Sequence, residues 1–331
     1  TGSAITLTLQ NEARTWSGAV NGSWDITSLN WVEGDQRFVA GDPVTFSDSG
    51  SNKTISIPSA VSPASVLINN STGNNYAFTG RINVPATGTF TKQGTGNLTF
   101  SGTPSSISVP VTINGGLVTL GTTDYLRAFG PSPEIILNGG TLRVNGINLL
   151  YDGGGSHIVT VNSGATVELN GYHNHFKTLN LNGGTVRGIT SNDPGARYAN
   201  EYGTFDTLVT VGGTQMSTIT NAAGGTGVFS LAGAPFNVGD AVSGTDLMVD
   251  ASLVGGGLTK NGAGTMALNQ ANSYAGGSTV NGGILLANNT TGSATGTGAV
   301  LVKTGAILGG TGAVTGAVTV EPGGPLAPGA P

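Results

Sequence analysis

Three histidines, His157, His173 and His175, are the residues of this chain best suited to bind a metal. His173 and His175 are separated by one residue, and side chains at positions i and i+2 of a β-strand point to the same face. If His157 lay one turn of chain away, three imidazoles could bind Zn²⁺ or Ni²⁺. No carboxylate neighbour or second ligand motif accompanies them, and a loop is an equally natural place. We therefore predict a solvent-exposed loop, without a metal or cofactor.

Two further groups of residues carry carboxylates. Glu201 and Asp206 lie in a stretch of irregular pattern, residues 187–207, and paired carboxylates are what glycosidases use. Such enzymes also need several convergent charged groups, and charged residues are only 9% of this chain. We predict a lateral loop with a packing or contact role, with a glycan-binding edge and catalysis as alternatives. Asp240, Asp246 and Asp250 suggest Ca²⁺, but their spacing fits neither an EF-hand loop nor the nonapeptide repeat.

The overall charge excludes several classes of partner. The chain of 331 residues has a net charge of −5 and a pI of about 5.0. Its lysines stand alone, whereas nucleic acids and anionic membranes require clustered basic residues. With no cysteine there is no disulfide and no thiolate metal site. No apolar stretch is long enough to span a membrane. The start at Thr1 and the end just after a turn suggest a segment of a longer protein.

Short aliphatic runs that break at glycine-containing turns dominate the rest of the sequence. Examples are Ile113-Asn114-Gly115-Gly116, Leu137-Asn138-Gly139-Gly140 and Val280-Asn281-Gly282-Gly283. The runs recur about 18–29 residues apart, which is the length of one turn of a solenoid. Polar residues alternate with aliphatic ones, as in strands with one face buried. The polar positions, such as Arg143, Glu168 and Arg187, vary freely, as expected for outward-facing sites.

These patterns predict an all-β fold, a parallel β-helix of about 14 layers with a continuous aliphatic core. Residues 1–52, which contain Trp16, Trp24 and Trp31, form an irregular N-terminal cap. Residues 53–331 form the turns. A carbohydrate-stacking surface is the alternative for the tryptophans. Matching turn positions are occupied by asparagines that either form a hydrogen-bonded ladder or simply tolerate turn geometry: Asn114, Asn138, Asn162, Asn182 and Asn281.

Two segments resemble a known family. Leu258-Thr259-Lys260-Asn261-Gly262-Ala263-Gly264, continuing to Leu286, is similar to the autotransporter-associated β-strand repeat, also called the passenger-associated transport repeat. Phe90-Thr91-Lys92-Gln93-Gly94-Thr95-Gly96 is a shorter copy, and residues 258–329 carry the strongest likeness. The resemblance implies a right-handed parallel β-helix exported to the surface of a Gram-negative-type bacterium. It also implies a repeat that assists passenger folding and secretion and has no catalytic residues of its own.

The sequence therefore predicts a non-catalytic structural or adhesive protein of the cell surface or extracellular space. Its rod would act as a stalk or filament subunit, without cofactors or catalytic residues. The expected partners are further copies joined end to end, other surface components, or a glycan or host surface, and not nucleic acid. A carbohydrate-active enzyme resembling polysaccharide lyases or glycosidases, or a glycan-binding module, is the alternative on the same fold.

Overall fold

The computed structural model describes residues 11–102, 105–121, 129–130, 133–150, 157–170, 172–190, 201–223, 225–241 and 243–329. Within these ranges the chain forms thirty β-strands and no helix. None of the described segments is therefore a helix with the length and hydropathy of a membrane span. The strands are β1 (Arg14–Thr15), β2 (Val44–Ser47), β3 (Thr54–Val61), β4 (Val66–Asn69), β5 (Tyr76–Val84), β6 (Phe90–Gln93), β7 (Leu98–Ser101), β8 (Ser106–Ile107), β9 (Val111–Ile113), β10 (Leu117–Leu120), β11 (Glu134–Leu137), β12 (Gly140–Val144), β13 (Ile158–Asn162), β14 (Ala165–Asn170), β15 (Asn174–Asn182), β16 (Thr185–Thr190), β17 (Glu201–Val211), β18 (Ser217–Asn221), β19 (Val228–Leu231), β20 (Phe236–Val238), β21 (Leu247–Val249), β22 (Ser252–Gly255), β23 (Leu258–Asn261), β24 (Thr265–Leu268), β25 (Ser278–Val280), β26 (Ile284–Ala287), β27 (Val300–Val302), β28 (Ile307–Gly310), β29 (Val318–Val320) and β30 (Leu326–Pro328).

The strands form two long parallel sheets. The first has the order β1-β2-β4-β6-β9-β11-β13-β15-β17-β20-β23-β25-β27-β29, with β19 beside β17 and β22 beside β19. The second has the order β3-β5-β7-β10-β12-β14-β16-β18-β21-β24-β26-β28-β30, with β8 beside β5.

Over most of its length the chain passes alternately from one sheet to the other, so it winds as a coil. This confirms the predicted parallel β-helix.

The register between turns explains the repeat in the sequence. In the first sheet Val111 pairs with Ile135, Ile135 with Val159, and Val159 with Leu179. All four side chains are fully buried, because each inward position stacks on the one below. The separation in sequence between paired residues ranges from 18 positions (Val300 to Val318) to 33 positions (Val186 to Ile219). The upper limit predicted from the sequence is thus exceeded where the chain passes through residues 191–200.

The tryptophans close one end of the core. Trp16, Trp24 and Trp31 are 0%, 0% and 1% exposed. Their rings pack edge to face, with centroids 5.2 Å apart for Trp16 and Trp31 and 5.7 Å apart for Trp24 and Trp31. The three tryptophans are thus buried, as the predicted cap requires, and the carbohydrate-stacking alternative is wrong because no ring face is open to a sugar. Since β1 and β2 already belong to the first sheet, the division at residue 52 stays a prediction.

The structure corrects the ends of the lateral loop predicted at residues 187–207. Residues 187–190 belong to β16, and residues 201–207 belong to β17. The first half of β17 pairs with both β15 and β19, so it extends the first sheet sideways. The middle of the predicted loop, residues 191–200, lies outside the described residues.

Candidate functional site: two caged lysines

A lysine occupies an inward-facing core position in β6. Lys92 pairs with Ile68 on one side and with Ile113 on the other, and it is 0% exposed. Its ammonium nitrogen donates to the carbonyl oxygens of Gln93 at 2.5 Å, Gly94 at 3.0 Å and Gly115 at 3.3 Å. The first two oxygens belong to the lysine's own turn, and the third belongs to the following turn. We call this arrangement of one ammonium and three carbonyls a lysine cage.

A second lysine cage lies in β23. Lys260 is also 0% exposed, and it pairs with Phe236 and Val280 in the first sheet. Its ammonium nitrogen donates to the carbonyl oxygens of Asn261 at 3.3 Å, Gly262 at 3.0 Å and Gly282 at 2.9 Å. As in the first cage, two acceptors belong to the same turn and one to the next. The two cages therefore have the same pattern of partners.

Glycine makes the cage geometrically possible. Gly94 and Gly262, which directly follow the lysine strands, have φ angles of 71° and 81°. This left-handed conformation is accessible to glycine without steric cost and reverses the direction of the chain within the turn. In the following turn, a Cβ atom on Gly116 would come within 2.2 Å of the Gly96 carbonyl oxygen and 3.0 Å of Lys92 Nζ. The sequence Lys-x-Gly-x-Gly with a Gly-Gly pair one turn later therefore specifies the cage.

The chemistry of the cage matches an ammonium group. An ammonium has three N–H donors and no acceptor, so three carbonyl oxygens satisfy it completely. In the described residues, no backbone N–H donates to the Gly94, Gly115, Gly262 or Gly282 oxygens. Burial lowers the pKa of Lys92 to about 8. Burial also lowers the pKa of Lys260 to about 8, and the negative charge of Asp246 opposes part of that decrease.

Asparagine ladders link neighbouring turns on the outside. Each amide donates to the oxygen of the amide one turn earlier: Asn138 to Asn114 at 2.9 Å, Asn162 to Asn138 at 2.7 Å, and Asn182 to Asn162 at 2.9 Å. Of the two alternatives for these positions, the hydrogen-bonded ladder is thus the one that the structure shows for Asn114, Asn138, Asn162 and Asn182. Asn281 belongs to a second ladder, with Asn261 at 2.7 Å and then Asn237 at 2.9 Å. Sequence reasoning missed Asn237 and Asn261 because neither precedes a Gly-Gly pair: Asn237 is followed by Val238, and Asn261 by a single glycine, Gly262.

The solvent-exposed loop predicted for the histidines is wrong, because His157 and His173 are buried and His175 is part of a strand. His175 lies in β15, and His173 directly precedes that strand and is buried. His173 Nε2 lies 2.8 Å from the Thr204 hydroxyl, and His175 Nδ1 lies 2.9 Å from Asp206 Oδ1. The carboxylate that the local sequence lacks is thus supplied by β17, one turn away. Strand pairing across an irregular 30-residue turn gave no sequence signal for this contact.

Glu201 joins the same cluster, with its Oε2 atom 3.6 Å from His173 Nε2. Burial raises the pKa of Glu201, and the electrostatic interaction with His175 opposes this increase. The structure also buries His157. Nevertheless, across the described ranges no three or more His, Cys, Asp or Glu side chains are grouped so that they could hold a metal ion.

The three aspartates considered for Ca²⁺ have different surroundings. Asp246 is buried and accepts hydrogen bonds from the backbone N–H groups of Ala241 and Thr265, both at 2.8 Å. Asp250 accepts a hydrogen bond from Asn269 at 2.6 Å, and Asp240 is exposed. Asp246 therefore fixes the turn next to the second lysine cage.

The sequence suggested that the outward positions in the second sheet vary independently of one another. The structure shows instead that three of them interact. Arg143 pairs with Glu168, and Glu168 pairs with Arg187 in the strand ladder. Arg143 donates to Glu168 at 2.8 Å, and Arg187 forms an ion pair with the other carboxylate oxygen. Glu168 is only 3% exposed, because the two arginine side chains cover it. The opposite charges therefore form one interacting column.

A polar groove of about 500 Å³ lies beside this column, at the corner after β18. Its lining includes Asn221, Thr226, Ser252 and Gln270, and among the described residues its one carboxylate is Asp250. Glycoside hydrolysis uses two carboxylates on opposite sides of the bond that breaks. The groove thus lacks this pair.

Comparisons with known proteins point to the two cages. The family model described as the passenger-associated transport repeat matches residues 90–120 and residues 258–287. Each match contains the caged lysine and the glycine of the next turn that completes the cage. Comparisons with curated proteins and with solved structures gave no match. The chain is thus a parallel β-solenoid in which two segments match the passenger-associated transport repeat, which is consistent with an autotransporter passenger.

Proposed function

We propose that this chain is a rod-forming part of an autotransporter passenger, displayed on or released from the surface of a Gram-negative-type bacterium. The observation that supports this proposal most directly is the position of the two matched repeats within one continuous coil. Both repeats are built into the first and second sheets and share their core with neighbouring turns. The repeats therefore act as part of the rod and not as separate modules.

The proposed role is structural or adhesive, without catalysis. Each turn buries its aliphatic side chains against the turns above and below, so stability grows along the rod axis as in other solenoids. The outer surface is polar mainly through Ser, Thr and Asn, since only 9% of residues are charged. Such a surface suits a stalk that extends a contact region away from the cell. End-to-end association stays a prediction, and the exposed Val318 of β29 and Leu326 of β30 would be buried by it.

Export can be tested by placing the chain between a signal peptide and an autotransporter translocator in a Gram-negative host. We expect external protease and antibody to reach the solenoid on intact cells. Val167→Asp provides a disrupting control, because Val167 is fully buried in β14. Thr166→Asp is the matched outward control in the same strand. Val167→Asp should reduce protease resistance at the surface, whereas Thr166→Asp should not.

Retention of the wild-type chain inside cells whose translocator reaches the outer membrane would contradict the export proposal. The enzymatic alternative has its own assay: incubation with uronate polysaccharides, followed by measurement of reducing ends and of the unsaturated product of a lyase. We expect neither product. Turnover that is lost in Glu201→Gln or Asp206→Asn, with the fold intact, would instead establish a catalytic passenger.

A further inference from the structure

We propose that each lysine cage is a primary-ammonium binding site built jointly by two consecutive turns, which the chain fills with its own lysine. The site has a defined chemistry, namely three converging carbonyl oxygens on the core side of a turn. In both cages the third oxygen comes from the following turn, Gly115 or Gly282. The lysine therefore completes its hydrogen bonds only after that turn has stacked.

The environment excludes two simpler explanations of the buried lysines. In the first explanation, the lysine side chain would extend along the core and place its ammonium group in solvent. That ammonium group would be exposed, but Lys92 and Lys260 are both 0% exposed. A buried ion pair would place a carboxylate oxygen within 4 Å of the ammonium, and in the described residues neither Lys92 nor Lys260 forms such a salt bridge. The negative charge of Asp246 acts on Lys260 electrostatically, without forming a salt bridge to it. The hydrogen bonds that hold each ammonium come from backbone carbonyls.

The same arrangement of carbonyl partners occurs twice in the chain, so the two cages can be compared with each other. They lie in different parts of the rod, and their inward neighbours differ: Ile68 and Ile113 flank Lys92, whereas Phe236 and Val280 flank Lys260. The carbonyl partners nevertheless come from equivalent positions. Recurrence of the partners with different packing indicates that the carbonyl geometry, and not the surrounding apolar contacts, selects the ammonium. The proposal concerns the binding chemistry of the two turns and does not depend on the proposed function.

Chemical rescue tests the site in purified protein. Lys92→Ala and Lys260→Ala each remove the atoms of a propylammonium ion and leave the carbonyls in place. We expect each substitution to raise the unfolding equilibrium constant by about ten- to a hundredfold, because buried carbonyl groups lose their donor. Propylammonium chloride should restore much of this loss. Tetramethylammonium has the same charge but no N–H donor, so it should not.

Two controls define the rescue. Lys303→Ala removes a partly exposed lysine that pairs with Glu321 at 2.6 Å, and propylammonium should not change its stability relative to wild type. Wild-type protein should likewise show no specific stabilisation, since its cages are filled. Equal effects of propylammonium and tetramethylammonium on the alanine variants, or no effect of either, would overturn the proposal.

A measurement on the intact wild-type chain covers the case in which the alanine variants do not fold. The chain has five lysines, Lys53, Lys92, Lys177, Lys260 and Lys303. With ¹⁵N-labelled lysine, NMR below neutral pH should show two side-chain NH₃⁺ signals with slow hydrogen exchange. Lys92→Met and Lys260→Met should each remove one of them. Rapid exchange of all five ammonium groups in the folded protein would refute the cages.

Discussion

Raising the pH should first stabilise this protein and then destabilise it. Between about pH 8 and pH 10.5 the unfolded chain keeps protons on Lys92 and Lys260 that the folded chain has lost, because burial lowers both pKa values to about 8. Stability rises with pH wherever the unfolded state binds more protons. The decrease from 10.5 to about 8 corresponds to at most about 3.5 kcal/mol per lysine. Much of this gain should be present by about pH 10.

Two buried tyrosines reverse the trend at higher pH. Burial raises the pKa of Tyr76 to about 12 and that of Tyr274 to about 12. Between about pH 10 and pH 12 the folded chain therefore keeps phenolic protons that the unfolded chain has lost, and stability falls with pH. Each tyrosine contributes a decrease of at most about 3 kcal/mol. The maximum of stability should consequently lie near pH 10.

Urea unfolding at fixed ionic strength from pH 7 to pH 12 measures this curve. Lys92→Met/Lys260→Met should remove the rise above pH 8, whereas Lys303→Met should leave it unchanged. Tyr76→Phe/Tyr274→Phe should weaken the fall above pH 10. Wild-type stability that is flat or falling between pH 8 and pH 10 would refute the reasoning, as would a rise that persists in the double lysine variant.

Three substitutions test other links between turns. Asn138→Ala removes two ladder hydrogen bonds and should cost about 1–2 kcal/mol in urea unfolding, whereas Asn182→Ala, which removes one, should cost about half as much. Equal costs would contradict a ladder. Glu168→Gln keeps the shape of the arginine-covered side chain but removes its charge, and it should cost about 1–3 kcal/mol, more than Glu321→Gln in its exposed pair. An equal cost of the two changes would show that covering Glu168 has no effect. Gly188→Ala would place a Cβ 2.2 Å from the Tyr202 ring and should cost about 1–3 kcal/mol, whereas Gly121→Ala, with ordinary contacts, should be nearly neutral. Recovery of stability in Gly188→Ala/Tyr202→Leu would identify the clash as the cause, and its absence would exclude it.

The sequence predicted those features that recur from turn to turn. Aliphatic alternation and Gly-Gly turns at positions such as Gly115 and Gly139 were sufficient for a parallel coil, because each inward residue has the same environment as the one below. The asparagines before these turns were recognised for the same reason. The lysine cages were not predicted, although both lysines lie in the segments that carried the family resemblance. A lysine in an alternating strand is ordinarily an outward residue, and only the register places Lys92 between Ile68 and Ile113.

The remaining differences arise where contacts cross an irregular turn. His175 meets Asp206 through a pairing that spans residues 191–200, and β17 shifts its register between Phe176 and Thr178 of β15. A shift of this kind changes which side chains face each other. The column of Arg143, Glu168 and Arg187 was visible as three polar positions, but their opposite charges become one interaction only when the turns stack. Periodicity alone therefore predicts the core better than the surface.

The links between turns run in both directions along the rod. Lys92 donates forward to the following turn through Gly115, whereas Asn138 donates backward to Asn114 across a neighbouring junction. An isolated turn would leave an ammonium donor and an amide acceptor without partners, in addition to its exposed aliphatic side chains. A buried ammonium without its carbonyl partner costs more than the bond contributes, whereas an exposed ladder amide can bond to water and loses only about 1 kcal/mol. Partly stacked arrangements are therefore penalised mainly on the inside. A solenoid with so few charges thus achieves cooperativity between turns by distributing each polar site over two of them.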